Sequence, residues 1–419
     1  MHLLPTSLAK NLFLKSLSEL RAGWLEIISG AETWEFGDRE STLRATVVVH
    51  NERFFRRAVL GGDVAIGEAW MDGDWSSPDL VSVVRVAVRN VAQLDSSNRW
   101  LSALGRWSDR LLHRGRENTE TGSRRNIQAH YDLSNDFFRL FLDPSMMYSC
   151  AYFEGGDASL ERAQENKLDR ICRKLGLGPD DHVVEIGTGW GGFAEHAVRN
   201  YGCRVTTTTI SQEQHDFAKA RFEAGGVEDR VTLLLEDYRK LRGRFSKLVS
   251  IEMFEAVGLE YYDTFFGTCE RLLEPDGAML LQTITMNERT FPSYHGSADW
   301  IQKHIFPGSE LASVGEILKS LTRVTRLAIQ HVEDIGLHYS KTLAAWRARF
   351  HDAVDVVRSM GFDECFVRKW DYYFAYCEAA FEERHIGDLQ LVLAKGAARG
   401  LIGMPAATAG AGALSQQLR

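Results

Sequence analysis

Apolar and polar residues alternate in two different rhythms along this chain. Between Gly23 and about Trp75 the runs are short: "GWLEIIS", "ETWEFGD" and "LRATVVVH" read as strands of period two, and "FFRRAVLGGDVAIGEAWMDGDW" follows as a compact glycine-rich stretch among turns. Ahead of them, "MHLLPTSLAKNLFLKSL" predicts an amphipathic helix with Leu12, Leu14 and Leu17 inward, while Lys10 and Lys15 leave a membrane-surface helix as the alternative. A helical run, "DLVSVVRVAVRNVAQL", completes a small α+β module over residues 1–115. The polar, Arg-rich "RWSDRLLHRGRENTETGSRRN" is the best linker in the chain, with a basic contact for lipid phosphates as its other reading.

Beyond the linker the rhythm changes. "HVVEIGTG", "CRVTTTTI", "VTLLLED", "SKLVSIEMF" and "AMLLQTIT" are strand-like and alternate with helical patterns such as "EQHDFAKARFEAG" and "YYDTFFGTCERLL". That succession predicts an α/β domain over residues 116–396, with parallel strands and helices on both faces. Aromatic-rich helices, "LAAWRARFHDAVDVV" and "KWDYYFAYCEAAFEERH", and a late strand, "LQLVLAKG", close it. The Ala- and Gly-rich residues 397–419 read as a disordered tail. One position breaks the pattern: Gln282 stands inside "GAMLLQTITM", an apolar strand expected to follow a Pro-Asp-Gly turn. A buried amide without partners costs a few kcal/mol, so Gln282 either faces solvent or holds something.

The length of 419 residues, with 44% hydrophobic and 25% charged residues, fits a folded two-domain protein. A net charge of -8 argues against general nucleic-acid binding. Six scattered cysteines form no CxxC pair, so neither a structural zinc nor a disulfide framework is expected and no metal site is assigned. No apolar run is long enough to span a bilayer, and a cytoplasmic location is expected.

"VVEIGTGWGGFAEHAV" puts Gly187, Gly189 and Gly191 at a strand-to-helix turn, where backbone can approach a ligand and leave amides at a helix start. Glycine turns serve NAD, FAD and S-adenosylmethionine alike. Glu185 inside the first strand, a GxGxG spacing that misses the dinucleotide fingerprint, and Glu236 and Asp237 at the end of the third strand favour S-adenosylmethionine. The second strand ends "TTTTIS" without the usual ribose carboxylate, so Thr209 and Gln214 would substitute for it.

Upstream, "NIQAHYDLSNDFFRLFLDPSMMYSCAYFEGG" gathers aromatic residues around Cys150; the plain reading is an aromatic helix over the sheet, although aromatic faces would also suit a sulfonium or a carbocation. With "HYDLSNDFFRLFLDP", "MYSCAYF", "VVEIGTGWGG", "TISQEQ", "EDYR", "IEMFEAVG", "HIFPG", "HYSKTLAAW" and "YYFAYCEAAF" in this order over residues 126–396, the chain resembles the cyclopropane-fatty-acyl-phospholipid synthase and mycolic acid cyclopropane synthase family. Its N-terminal residues, with "GEAWMDGDW", resemble the module of the phospholipid-acting members.

The resemblance implies a Rossmann-like class I methyltransferase with a smaller N-terminal α+β domain. It implies methyl transfer from S-adenosylmethionine to the cis double bond of an acyl chain on a membrane phospholipid, with a carbocation that loses a proton to bound bicarbonate and closes a cyclopropane. The bicarbonate pocket would comprise the Cys150 backbone, Glu255, Gln282, the Ile284 backbone and Tyr339. Tyr148 and Ser149 would meet the methionine end of the cofactor, and Cys377 would lie near the acyl channel as an inert thiol or a participant. Peripheral contact with the inner membrane and a homodimer are further expectations, with lipid docking or dimer pairing assigned to residues 1–115. Characterised members often carry histidine where this chain has Gln282, which can donate to an anion but cannot relay a proton. A methylene-branched or methylated-alkene product is therefore the alternative outcome of the same transfer. A degenerate lipid-binding protein and a methyltransferase for a small soluble substrate are the weaker readings.

Overall fold

The computed structural model describes residues 4–91, 134–155, 159–295 and 299–401. The Arg-rich linker, Tyr131, the expected boundary near residue 115 and most of the expected tail lie outside the described residues.

The N-terminal module has its own sheet. Strands β1 (Trp24–Ser29), β2 (Glu32–Gly37), β3 (Arg44–Val49) and β4 (Trp75–Ser76) lie in the order β2-β1-β3-β4. Helix α1 (Thr6–Leu17) buries Ala9, Ser16 and Leu17, while Leu12 and Leu14 are only half-buried. Lys10 is spent inside the module: it pairs with Glu32 and sits 4.6 Å from the Trp34 ring centroid, which removes it from the membrane-surface reading. The glycine-rich stretch read as turns is instead helix α2 (Arg53–Met71). Phe54, Phe55, Ala58 and Val59 share one face at helical spacing, and the glycine pair marks a kink at Gly62, where φ is 58°. Helix α3 (Leu80–Arg89) is capped by Asp79, whose carboxylate accepts from the Ser82 amide.

The second sheet has seven strands: β5 (His182–Ile186), β6 (Arg204–Thr209), β7 (Val231–Leu235), β8 (Phe245–Ile251), β9 (Leu273–Met286), β10 (Ala328–Asp334) and β11 (Ile386–Ala394). Their order is β10-β11-β9-β8-β5-β6-β7. The five from β5 to β9 are parallel, as the alternation predicts, and β11 enters antiparallel between β9 and β10. The expected Pro-Asp-Gly turn is absorbed into β9, where the pairing with β8 slips register between Phe245 and Lys247. Chain order reverses about β5, so the crevice beyond the carboxyl ends of β5 and β8 is where such a sheet holds a ligand.

The modules share one core. A continuous apolar cluster runs from Phe54, Trp70 and Trp75 to Phe137, Phe141, Trp346 and Trp370. Across the seam, the Trp70 indole donates to the Arg368 carbonyl and Arg368 donates back to the carbonyls of Trp70 and Trp75. Arg85 and Arg89 both grip Glu383 at 2.6 Å.

Candidate active site

Two turns, one after β5 and one after β8, open on a single cavity of about 1650 Å³. After β5, the amides of Gly187 and Thr188 donate to the Thr208 carbonyl at 3.1 and 3.0 Å and tie the turn to β6. Gly187 (φ 103°) lets the two turns meet, because a Cβ there would lie 3.0 Å from the Met253 Cβ. Gly189 (φ 51°) is different: a Cβ there would meet nothing within 4 Å, and the residue lines the cavity. Gly191, assigned to the cofactor from its spacing, does not line the cavity; its missing Cβ makes room for the Phe222 ring, 2.8 Å from where the atom would sit. Its role is helix packing.

Around this cradle the other cofactor candidates converge. Glu185 accepts from Thr207 Oγ1 at 2.6 Å, and burial pushes its carboxyl up to about 8. Thr209 donates to Gln214 Oε1 at 2.9 Å, leaving the Gln214 amide nitrogen without a partner among the described residues. Glu236 and Asp237 line the wall below β7. Asp237 is held by Arg239 at 2.7 Å; burial works against its charge, but the guanidinium wins and keeps its carboxyl below the ordinary range. Tyr148 donates to the Tyr373 hydroxyl at 3.0 Å, and Ser149 Oγ accepts from the buried Lys167 at 2.8 Å; both side chains reach the cavity. The open space at Gly189 and the polar groups around it suit an adenosyl-methionine ligand.

The turn after β8 is filled. Glu252 has φ 46°, a left-handed conformation that costs a non-glycine residue about 1 kcal/mol or more. Its Oε1 accepts from the Cys150 amide at 2.8 Å and from Gln282 Nε2 at 2.8 Å, and its Oε2 accepts from the Tyr339 hydroxyl at 2.6 Å. Three residues on, Glu255 Oε1 accepts from the Ile284 amide at 2.6 Å and Thr283 Oγ1 at 2.9 Å, while Glu255 Oε2 has no partner among the described residues. What surface the two carboxylates keep faces the cavity they line.

Gln282 is fully buried and fully used. Its amide nitrogen also donates to Asp388 Oδ2 at 3.0 Å, and its oxygen accepts from Gln390 at 3.0 Å. Gln390 in turn accepts from Lys174 at 2.6 Å, and Lys174 and Arg170 meet at Glu333. The charges sort within this cluster. Burial, then repulsion from Glu252 and Glu255, drives Asp388 well above the carboxylate range, so it keeps its proton. Burial raises Glu252 too, but the Tyr339, Cys150 and Gln282 donors and the Lys167 charge oppose it, so Glu252 carries the negative charge of the pair. Burial and the Glu252 charge push Glu255 up to about 7. The Cys150 thiol is inert, raised well above its ordinary value by burial. Cys377 also lines the cavity, and burial likewise pushes its thiol above the ordinary value.

Every group expected to hold bicarbonate is therefore present. Three of the five, the Cys150 amide, Gln282 and Tyr339, bind the Glu252 carboxylate, and the other two, Glu255 and the Ile284 amide, bind each other. These residues do not fit a bound bicarbonate unless Glu252 withdraws. Sequence reasoning missed Glu252, Lys167 and Asp388. The signal for Glu252 was available, as an acid just past the carboxyl end of a parallel strand at the switch point.

This crevice over a seven-stranded sheet is that of a class I S-adenosylmethionine-dependent methyltransferase, a fold it shares with coclaurine N-methyltransferase (TM-score 0.59, 18% identity, covering 79% of this chain and 98% of that one). The chain belongs to the mycolic acid cyclopropane synthetase family, whose profile matches residues 118–391. It is 37% identical over 351 residues to the tuberculostearic acid methyltransferase UfaA1 of Mycobacterium tuberculosis, covering 81% of this chain and 80% of that one. It is also 37% identical over 359 residues to the cyclopropane-fatty-acyl-phospholipid synthase of Escherichia coli K12, covering 85% and 90%. Mycolic acid cyclopropane synthase CmaA1, solved with SAH and CTAB, superposes with a TM-score of 0.61 at 33% identity, covering 65% of this chain and 98% of that one. The protein is an enzyme of the cyclopropane-fatty-acyl-phospholipid synthase type that uses S-adenosylmethionine.

Proposed function

We propose that this enzyme methylates the cis double bond of an unsaturated acyl chain carried on a membrane phospholipid and closes a cyclopropane. The observation that carries this reading is the reach of the cavity. It is lined by Gly189 and Tyr148, by Glu252, Glu255 and Tyr339, by Tyr372, Cys377 and Phe381, and by Leu17, Ile27, Phe54 and Val84 of the N-terminal module. An apolar passage of that extent suits an acyl chain laid past a polar reaction point.

S-adenosylmethionine, when bound, supplies an electrophilic methyl group. The chain's own part is to hold the alkene in line and to exclude water. It also surrounds the developing cation with aromatic faces, Tyr148, Phe306 and Tyr373, and with the Glu252 charge. The N-terminal module, on this reading, receives one end of the acyl chain, and docks on the cytoplasmic face of the inner membrane or pairs into a homodimer. No helix among the described residues is long and apolar enough to cross a membrane. Two relatives at equal identity are named for different products, a tuberculostearic acid methyltransferase and a cyclopropane synthase, so a methylene-branched or methylated-alkene chain is the second reading.

The test is incubation with S-adenosylmethionine and vesicles of a monounsaturated phospholipid, followed by mass spectrometry of the fatty-acid methyl esters with derivatisation of double bonds. A gain of one methylene without unsaturation supports the ring, and the same gain with unsaturation retained supports the branch. Lipids returned unchanged, with no S-adenosylhomocysteine formed, would refute the substrate class.

A further inference from the structure

The donors at the turn after β8 converge on a carboxylate that belongs to the chain. We propose that Glu252, and not a bound bicarbonate, accepts the proton released in this enzyme's reaction. This rests on the methyl transfer proposed above and names the base that completes it.

Three observations carry it. The Cys150 amide, Gln282 Nε2 and the Tyr339 hydroxyl, 2.6 to 2.8 Å from the Glu252 oxygens, form a pocket shaped for a small planar oxyanion, and the glutamate head group occupies it. Glu252 is held there at φ 46°, a strained conformation whose cost the three charge-assisted hydrogen bonds offset. Gln282 is locked from behind by Gln390 and Asp388, so its nitrogen is aimed at Glu252 and has no second orientation that would serve a free ion as well.

The step balances without a co-reactant. After methyl transfer the cation sits on the carbon next to the one that bears the new methyl; a C–H bond of that methyl breaks, and its electron pair becomes the closing C–C bond of the ring. In the branched outcomes the pair that becomes a C=C bond comes from the C–H bond on the methyl-bearing carbon, or from the methyl C–H bond once that hydrogen has shifted as hydride to the cation. The proton goes to Glu252 Oε2, which accepts one hydrogen bond from Tyr339 and keeps a second lone pair. Glu255, with Oε1 bound to the Ile284 amide and Thr283, positions the wall of the pocket beside the base.

The experiment compares wild type, Glu252→Gln and Glu252→Gly in buffer stripped of carbon dioxide and then supplemented with bicarbonate. Methylated lipid is the activity readout, and ¹³C-bicarbonate binding by NMR is the activity-independent one. Glycine suits a φ of 46°, so Glu252→Gly should fold at least as well as wild type. We expect wild-type turnover to be indifferent to bicarbonate and its ¹³C signal to stay sharp. Glu252→Gln should lose about 10²- to 10⁴-fold in methylated product. Glu252→Gly should bind ¹³C-bicarbonate in the vacated pocket and recover part of its activity with it. Wild type that binds bicarbonate or slows when it is removed, or Glu252→Gln at the wild-type rate, would overturn the proposal. If no lipid is methylated by any form, the substrate reading fails on its own, and the NMR comparison still decides what the pocket holds.

Discussion

The turn after β5 and the turn after β8 lie side by side on one cavity and are built on opposite plans. The first is made of glycine and leaves room: nothing stands within 4 Å of where a Cβ on Gly189 would be. The second is crowded with acid side chains, and each Glu252 oxygen already has a donor. Space held open by backbone suits a ligand; space filled by a strained, hydrogen-bonded side chain suits machinery the chain supplies itself. On the reading proposed above, the contrast separates the cofactor site from the chemistry.

The sharpest way to break the comparison is to fill the open turn. Gly189→Val should weaken S-adenosylmethionine binding by about 100-fold or more, roughly 3 kcal/mol, read by calorimetry. Normal affinity would move the cofactor elsewhere. Next in size is Tyr339→Phe, which removes one donor from Glu252. Turnover should fall about tenfold to thirtyfold, for about 2 kcal/mol of lost charge-assisted hydrogen bond, with cofactor affinity unchanged. Because that donor favours the charged carboxylate, the acid limb of the rate profile should also move to higher pH. A superimposable profile would mean Tyr339 only packs.

Glu185 gives a smaller effect and a sign. Burial holds its carboxyl up to about 8 against an ordinary value of 4.5, so the folded state binds more protons than the unfolded one between those values. Stability should fall as pH rises through that window, and Glu185→Gln should flatten the fall in melting temperature while matching wild type below it. Equal slopes would show that Glu185 titrates normally. The smallest change is Gly191→Ala. At φ 85°, with Phe222 2.8 Å from the new Cβ, it should cost about 1–2 kcal/mol in denaturant unfolding yet leave cofactor affinity intact. Lost binding would return Gly191 to the cofactor site.

Parallel strands, the glycine turn and the late strand were legible because each rests on local pattern: β5, β7 and β8 are short, largely apolar runs bounded by turn residues, and β11 is nearly all buried. Helix α2 was not, because its glycine pair imitates turn chemistry while tertiary packing of Phe54, Phe55 and Ala58 holds the helix together. At the site, spacing located the glycines but could not tell Gly189, which faces space, from Gly191, which faces Phe222. Gln282 raised the right question from its sequence alone. Its answer depended on Glu252, thirty residues away in the chain, on the neighbouring parallel strand's end, and on Gln390 and Asp388 across the antiparallel pairing of β9 with β11.

The seam between the modules has a mechanical consequence. Trp70 and Arg368 exchange hydrogen bonds in both directions, Glu383 is clasped by two arginines of α3, and Gly67 is pressed so closely on Trp300 that a methyl there would sit 2.5 Å from the indole. Interfaces cemented in this way transmit unfolding from one side to the other, so heat should melt the chain in one cooperative step and not as two detachable halves.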